Sequence, residues 1–116
     1  DTLERRTRTL GAEHPDTMRT VNNIIDWTGA AGDYRRAYEL ANELLPRQRA
    51  VLGDRHQDTM RTRFNRAQWL AADGDVATAL EQLRALYRDQ VAALGEQHPD
   101  AVRTARMGEE LSTSGA

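Results

Sequence analysis

The chain has 116 residues, of which 39% are hydrophobic and 29% are charged, so it is long and apolar enough for one folded domain. It contains no cysteine, which excludes disulfides and thiolate catalysis, and its net charge of -2 disfavours nucleic acid as a partner. No apolar stretch approaches the roughly 20 residues of a membrane span, so no membrane partner is expected. We expect a soluble, cytoplasmic domain.

The sequence repeats itself every 42 residues. LGAEHPDTMRT at 10–20 returns as LGDRHQDTMRT at 52–62 and as LGEQHPDAVRT at 94–104. Such a period is typical of stacked helical repeats. The sequence therefore predicts one repeat domain over residues 1–116. Its parts are the end of a preceding repeat (1–9), two full repeats (10–51 and 52–93) and a partial repeat (94–116), so the chain is expected to be a fragment.

Each unit is predicted to form two helices. In the first, apolar residues from Met18 to Trp27 are spaced three and four apart, as on one face of a helix. Gly32 ends that helix and Asp33 caps the next one, which continues to Gly53. Pro46 lies inside the second helix and is expected to bend it or to begin a new turn. The pattern predicts five helices after the short leading segment.

Several residues are assigned to contacts between units. Trp27 and Trp69 are predicted to pack in the core between adjacent repeats, which is favoured over a role as ligand-stacking platforms. Asn23 and Asn65 are expected to bond neighbouring helices, and a groove-facing role for them stays open. In the third unit, Met107–Gly108–Glu109 replaces Asn–Ile–Ile, so this helix is expected to pack poorly or to act as a polar end cap.

The helix, Gly-Asp turn, helix pattern, with an alanine five residues after the turn glycine, resembles the tetratricopeptide repeat. The 42-residue period, with LG-x-x-HPDT before the Gly-Asp turn, is similar to the kinesin-light-chain type, which is also found in actinobacterial signalling proteins after a nucleotide-binding domain. All sixteen basic residues are arginine, which resembles that group. The resemblance implies an all-α fold, a right-handed α-α superhelix of antiparallel helix pairs with the first helix of each unit inside.

Three histidines, His14, His56 and His98, recur at the repeat period. A metal site is disfavoured, because equivalent positions on stacked helices lie roughly 8–10 Å apart. The favoured interpretation is a turn residue that hydrogen-bonds the start of the next helix. No catalytic constellation or phosphate-binding loop is present in the sequence, so we expect no catalytic residue, no metal, no cofactor and no enzymatic activity.

The family resemblance places the binding surface on the first helix of each unit. Counting from the turn glycine, the groove-facing positions are Arg19, Asn22 and Asp26, then Arg61, Phe64 and Gln68, then Arg103, Arg106 and Glu110. The arginines that recur at one position are candidates to clamp acidic groups, with Phe64 as an apolar anchor. The alternative is a solvated face with internal pairs such as Arg19 with Asp26 or Arg106 with Glu110.

The expected function is binding of a peptide or protein segment in the groove. The alternative is a structural or regulatory segment of a larger signalling ATPase, or a self-association module without a ligand of its own. A homodimer through exposed repeat ends is included in that alternative, because the apolar faces at 1–9 and 100–114 lack neighbouring repeats in the sequence.

Overall fold

The computed structural model describes the backbone of residues 15–114 and the side chains of residues 17–113. This part of the chain forms five helices and no strand. They are α1 (Pro15–Ala30), α2 (Tyr34–Leu52), α3 (Gln57–Ala72), α4 (Val76–Leu94) and α5 (Pro99–Ser114). Consecutive helices pack against each other, and α1 also contacts α3, so the units stack. The predicted all-α repeat fold is confirmed.

The turn inside each unit is built as the sequence predicts. Gly32 and Gly74 have φ angles of 100° and 109°, in the left-handed region where a side chain is strained. The next residue caps the following helix: the carboxylate of Asp33 accepts a hydrogen bond from the Arg36 N–H at 3.3 Å, and that of Asp75 accepts one from Thr78 at 3.2 Å. Each unit therefore reverses the chain with the same local chemistry.

The turn between units uses histidine. The His56 Nδ1 accepts a hydrogen bond from the Asp58 N–H at 3.1 Å, and the His98 Nδ1 accepts one from Asp100 at 3.1 Å. The predicted role of the histidines at the next helix start is confirmed for these two, and His14 lies outside the described residues. Pro46 does not begin a new helix, since α2 continues through it to Leu52.

The core consists of two apolar clusters that follow the stacking. The first, centred on Met18, Ile25 and Leu44, lies between α1 and α2, and the second contains Leu70 and Leu83 of α3 and α4. Met107 and Leu111 of α5 pack against the second cluster, and Ala101 and Thr104 are buried. Poor packing of α5, the first helix of the third unit, is therefore wrong, because its apolar face meets α3 and α4. Its role as a polar end cap stays a prediction.

The two tryptophans differ. Trp69 packs against the first cluster, and its ring stacks on Tyr34 with centroids 5.9 Å apart and 9° between planes. It also lies directly on Gly29 of α1. Trp27 is 70% exposed, so its predicted core position is wrong. Trp69 is covered because α1 and α2 precede it in the stack, whereas no described helix lies on the corresponding side of Trp27.

Candidate functional site

The first helices of the units line an open groove of about 700 Å³. α1 contributes Asp26, α3 contributes Arg61, Phe64 and Gln68, and α5 contributes Arg103. All five belong to the groove-facing set derived from the repeat register, and the structure brings them together on one surface. Their role in binding a partner stays a prediction.

Asn22 does not belong to this surface, and its predicted exposure is wrong. It is 1% exposed and lies where α1 packs on α3. Its Nδ2 donates to the Thr62 Oγ1 at 2.7 Å, and its Oδ1 accepts from the Asn65 Nδ2 at 3.4 Å. The Thr62 hydroxyl in turn donates to the Asp58 carbonyl at 3.2 Å. This chain of hydrogen bonds fixes one unit against the next, because a buried amide must find partners.

Asn65 thus makes the interhelix bond expected of it, with only 6% of its surface exposed. Asn23, the equivalent residue one repeat earlier, is exposed, so the predicted interhelix bond of Asn23 is wrong. As for Trp27, the reason is that the described chain has no helix on the outer side of α1.

Arg61 of the groove and Arg19, which does not line it, pair with aspartates of neighbouring helices. Arg61 Nη2 donates to Asp26 Oδ2 at 3.1 Å, which joins α3 to α1. Arg19 pairs with Asp58 across the same two helices at 3.8 Å. The Arg19–Asp26 pair named under the alternative of a solvated face does not form, because Asp26 lies two turns further along α1 while the next unit offers each residue a closer partner.

On α5, Arg103 pairs with Asp100 one turn earlier, at 3.6 Å between Nη2 and Oδ1. Its guanidinium also lies 5.9 Å from the centre of the Phe64 ring, a cation–π contact. Arg106 and Glu110 are exposed on the same helix and do not line the groove. The predicted ladder of arginines is thus a set of exposed, charge-compensated pairs, of which each contributes at most about 1 kcal/mol to stability.

Two buried polar atoms on the groove wall have no hydrogen-bond partner among the described residues: Trp69 Nε1, a donor, and Gln90 Oε1, an acceptor. Gln90 is 4% exposed and comes from α4, behind the first helices. Register counting on the first helices missed both residues. Gln90 does have a signal in the sequence, because Gln48 stands 42 positions earlier and is also buried.

Within residues 15–114, no three His, Asp or Glu side chains are grouped so as to hold a metal ion. None of the helices described is both long and apolar enough to cross a membrane.

These features define an α-helical repeat protein, in which successive helix pairs stack and their first helices share one face. Residues 20–90 match the family model described as Tetratricopeptide repeat, so the chain belongs to that family. Repeats of this family generally mediate protein–protein interactions and typically are not enzymes. No curated protein matches the chain.

Proposed function

We propose that the groove binds an extended segment of a partner protein. The observation that carries this proposal is the open groove of about 700 Å³, whose wall holds the Arg61 and Arg103 guanidinium groups, the Phe64 ring and the Gln68 amide on one surface. Arginine forks bind carboxylates, the ring offers an apolar contact and the amide can bond a peptide backbone, so the wall matches the groups of an extended peptide.

The charged groups supply specificity in this proposal. Arg61 and Arg103 are 50% and 65% exposed, so their present ion pairs are weak and exchangeable. A carboxylate of the partner replaces Asp26 or Asp100 in these pairs, and arginine suits this exchange because its planar fork binds carboxylates at two points. Phe64 between them provides the apolar contact, and the Gln68 amide is left for the partner's backbone.

The test begins with selection of binding peptides from a displayed random library, followed by isothermal titration calorimetry. Arg61→Glu is expected to weaken binding about tenfold or more, since a hydrogen bond to a charged group contributes about 1.5–3 kcal/mol. Arg36→Glu, an equal charge change at an exposed position outside the groove, is the matched control and is expected to leave affinity unchanged. Equal effects of both variants, or the absence of any selected binder, refute the proposal.

A charge swap separates recognition from folding. The double variant Asp26→Arg, Arg61→Asp restores the ion pair between α1 and α3 but reverses its direction in the groove. If Arg61 only holds the helices together, the swap retains full affinity. If a partner carboxylate binds Arg61, affinity stays as low as in Arg61→Glu while the urea midpoint returns to the wild-type value.

A second candidate is a structural role, as a segment of a larger signalling ATPase or a self-association module. Two uncovered faces favour it: Trp27 on α1 is 70% exposed, and a cavity of about 580 Å³ opens between α4 and α5. Sedimentation of this chain is compared with that of a chain extended by one repeat at each end. Dimers of both forms that persist when the groove is blocked by peptide favour this candidate; monomers of both forms speak against self-association.

The kinesin-light-chain-like subtype, the actinobacterial context and a cytoplasmic location belong to the same proposal. The 42-residue period supports the subtype, and the use of arginine as the sole basic side chain beside histidine supports the actinobacterial context.

A further inference from the structure

A cluster of arginines lies away from the groove, where α2, α3 and α4 meet. Arg63 is 5% exposed, and its Nη1 donates to Asp89 Oδ2 at 2.7 Å and to the Asp54 carbonyl at 3.2 Å. Arg55 reaches the other oxygen of Asp89 at 3.6 Å. Arg49 at the end of α2 pairs with the Asp54 carboxylate at 2.6 Å. The loop between α2 and α3, together with these two helices and α4, thus holds three guanidinium groups and two carboxylates together.

Arg66 adds a fourth guanidinium, one turn after Arg63 on α3, and it has no carboxylate partner among the described residues. It is half-buried, and its Nε is buried without a hydrogen-bond partner. Burial, the positive charge of Arg49 and, to a lesser degree, that of Arg63 lower the pKa of Arg66, against an opposing effect of Tyr38. The side chain stays charged, because arginine titrates far above neutral pH.

The repeat architecture does not require these charges. The equivalents of Arg63, Arg66 and Arg49 in neighbouring units are uncharged: Val21 and Ala105, Ile24 and Gly108, and Thr7 and Val91. The first unit has an isoleucine at the position of Arg66, so this position can be filled without burying an unpaired charge. The cluster is therefore an addition to the fold at the junction of two units, since Arg49 ends the first unit and the other members belong to the middle one.

Four guanidinium groups around two carboxylates leave an excess of two positive charges, and the Nη groups of Arg66, unlike its buried Nε, are open to a ligand. A doubly charged oxyanion matches that excess, and arginine forks match its tetrahedral oxygens. We propose that Arg66, together with Arg63 and Arg49, binds a phosphate monoester dianion on the surface between α2 and α3. The phosphate is either free or carried by a phosphorylated serine of a partner.

The first measurement uses the wild-type chain alone. Sodium phosphate is titrated against sodium chloride at constant ionic strength and pH 7.5, and the Nε–H resonance of the Arg66 side chain is followed by NMR. A saturable shift of that resonance supports the site. A shift that stays linear with concentration, or that is equal for the exposed Arg36, overturns it because it reports only general ionic screening.

The second measurement uses variants. Arg66→Ile copies the first repeat and is expected to fold, which circular dichroism checks, and to bind phosphate at least about tenfold more weakly because charge-assisted bonds are lost. Arg66→Lys keeps the charge but loses the planar guanidinium, and its phosphate affinity is expected to lie between those of the wild type and Arg66→Ile. Arg36→Gln is the matched control with unchanged binding. Wild-type affinity in Arg66→Ile refutes the proposal.

The third measurement distinguishes the sources of phosphate. A short phosphoserine peptide is compared with inorganic phosphate and with the unphosphorylated peptide. Tighter binding of the phosphopeptide than of phosphate indicates a phosphorylated partner, and equal binding indicates a free anion; both support the shared chemistry. Equal binding of the two peptides overturns the site, since the phosphate then contributes nothing.

Discussion

Gly29 lies where the indole of Trp69 crosses α1, and its replacement by alanine measures how closely two repeats pack. A Cβ on Gly29 would stand 2.5 Å from Cδ2 and Cζ2 of that ring, whereas carbon atoms prefer about 3.5–4.0 Å. The ring has little room to move, because it stacks on Tyr34 and packs on the first core cluster.

The magnitude follows from two opposing effects. Overpacking of this kind costs about 1–3 kcal/mol, and alanine for glycine inside a helix returns up to about 1 kcal/mol. We expect Gly29→Ala to lower the free energy of unfolding by about 1–2 kcal/mol. Gly108→Ala is the control: a Cβ there meets no atom within 4 Å, so this variant should be stabilised by about 0.5–1 kcal/mol.

The next unit suggests a compensating variant. The positions 42 residues after Gly29 and Trp69 hold Ala71 and Leu111, and both pack against the second cluster. Gly29→Ala combined with Trp69→Leu copies that natural pair, so its loss should be smaller than the sum of the single losses by about 1 kcal/mol or more. Urea unfolding, monitored by far-ultraviolet circular dichroism, gives the free energies of unfolding of the wild type, the two single variants and the double variant. A stabilised Gly29→Ala, or additivity within about 0.5 kcal/mol, would refute the packing account.

Three further predictions concern other parts of the stack. Asn22→Ala leaves the buried Asn65 Nδ2 unpaired and removes the donor to the Thr62 hydroxyl, so it should cost about 1–3 kcal/mol in urea unfolding, whereas Asn23→Ala should change stability by less than about 0.5 kcal/mol. Burial favours the neutral form of Asp89, but hydrogen bonds and charge from two arginines outweigh it and hold its pKa below the usual value. Its contribution is therefore complete above the ordinary aspartate pKa and is lost as the pH falls through the lowered folded-state value. The stability difference between wild type and Asp89→Asn should accordingly shrink in acid, and a difference independent of pH contradicts this assignment. A variant without Trp27 should show blue-shifted fluorescence from the packed indole of Trp69, and a variant without Trp69 should show red-shifted fluorescence from the exposed indole of Trp27. The opposite result would contradict the assignment of Trp27 as the exposed tryptophan.

The helices and turns were predictable because their signals are local. The caps at Asp33 and Asp75 bond an N–H three residues ahead, and those of His56 and His98 bond one two residues ahead. Such contacts depend on few neighbours, so the residue pattern suffices to predict them. The spacing of Arg61, Phe64 and Gln68 on α3 also predicted one shared face, since helical periodicity alone decides it.

The same counting failed at Asn22, which is equivalent to Phe64 in the next unit. Whether that position faces the groove depends on what stands opposite it on the adjacent helix, and for Asn22 these are the Thr62 hydroxyl and the Asn65 amide. The prediction of ion pairs was wrong for a related reason. The sequence suggested that Arg19 pairs with Asp26 along one helix, whereas both residues pair with the neighbouring helix, Arg19 with Asp58 and Asp26 with Arg61. Arg103 does pair along its own helix, with Asp100.

By itself, the sequence determined the 42-residue period, the helix pairs and the chemistry of each turn, because these depend on residues a few positions apart. Only the tertiary structure decided which side chains are covered, which charges meet and which buried atoms stay unsatisfied. Trp27 and Trp69 occupy the same place in two homologous units, yet one is exposed and the other packed. In a stack of repeats, contacts between neighbouring units decide which side chains are buried, so the sequence of a single unit does not determine it.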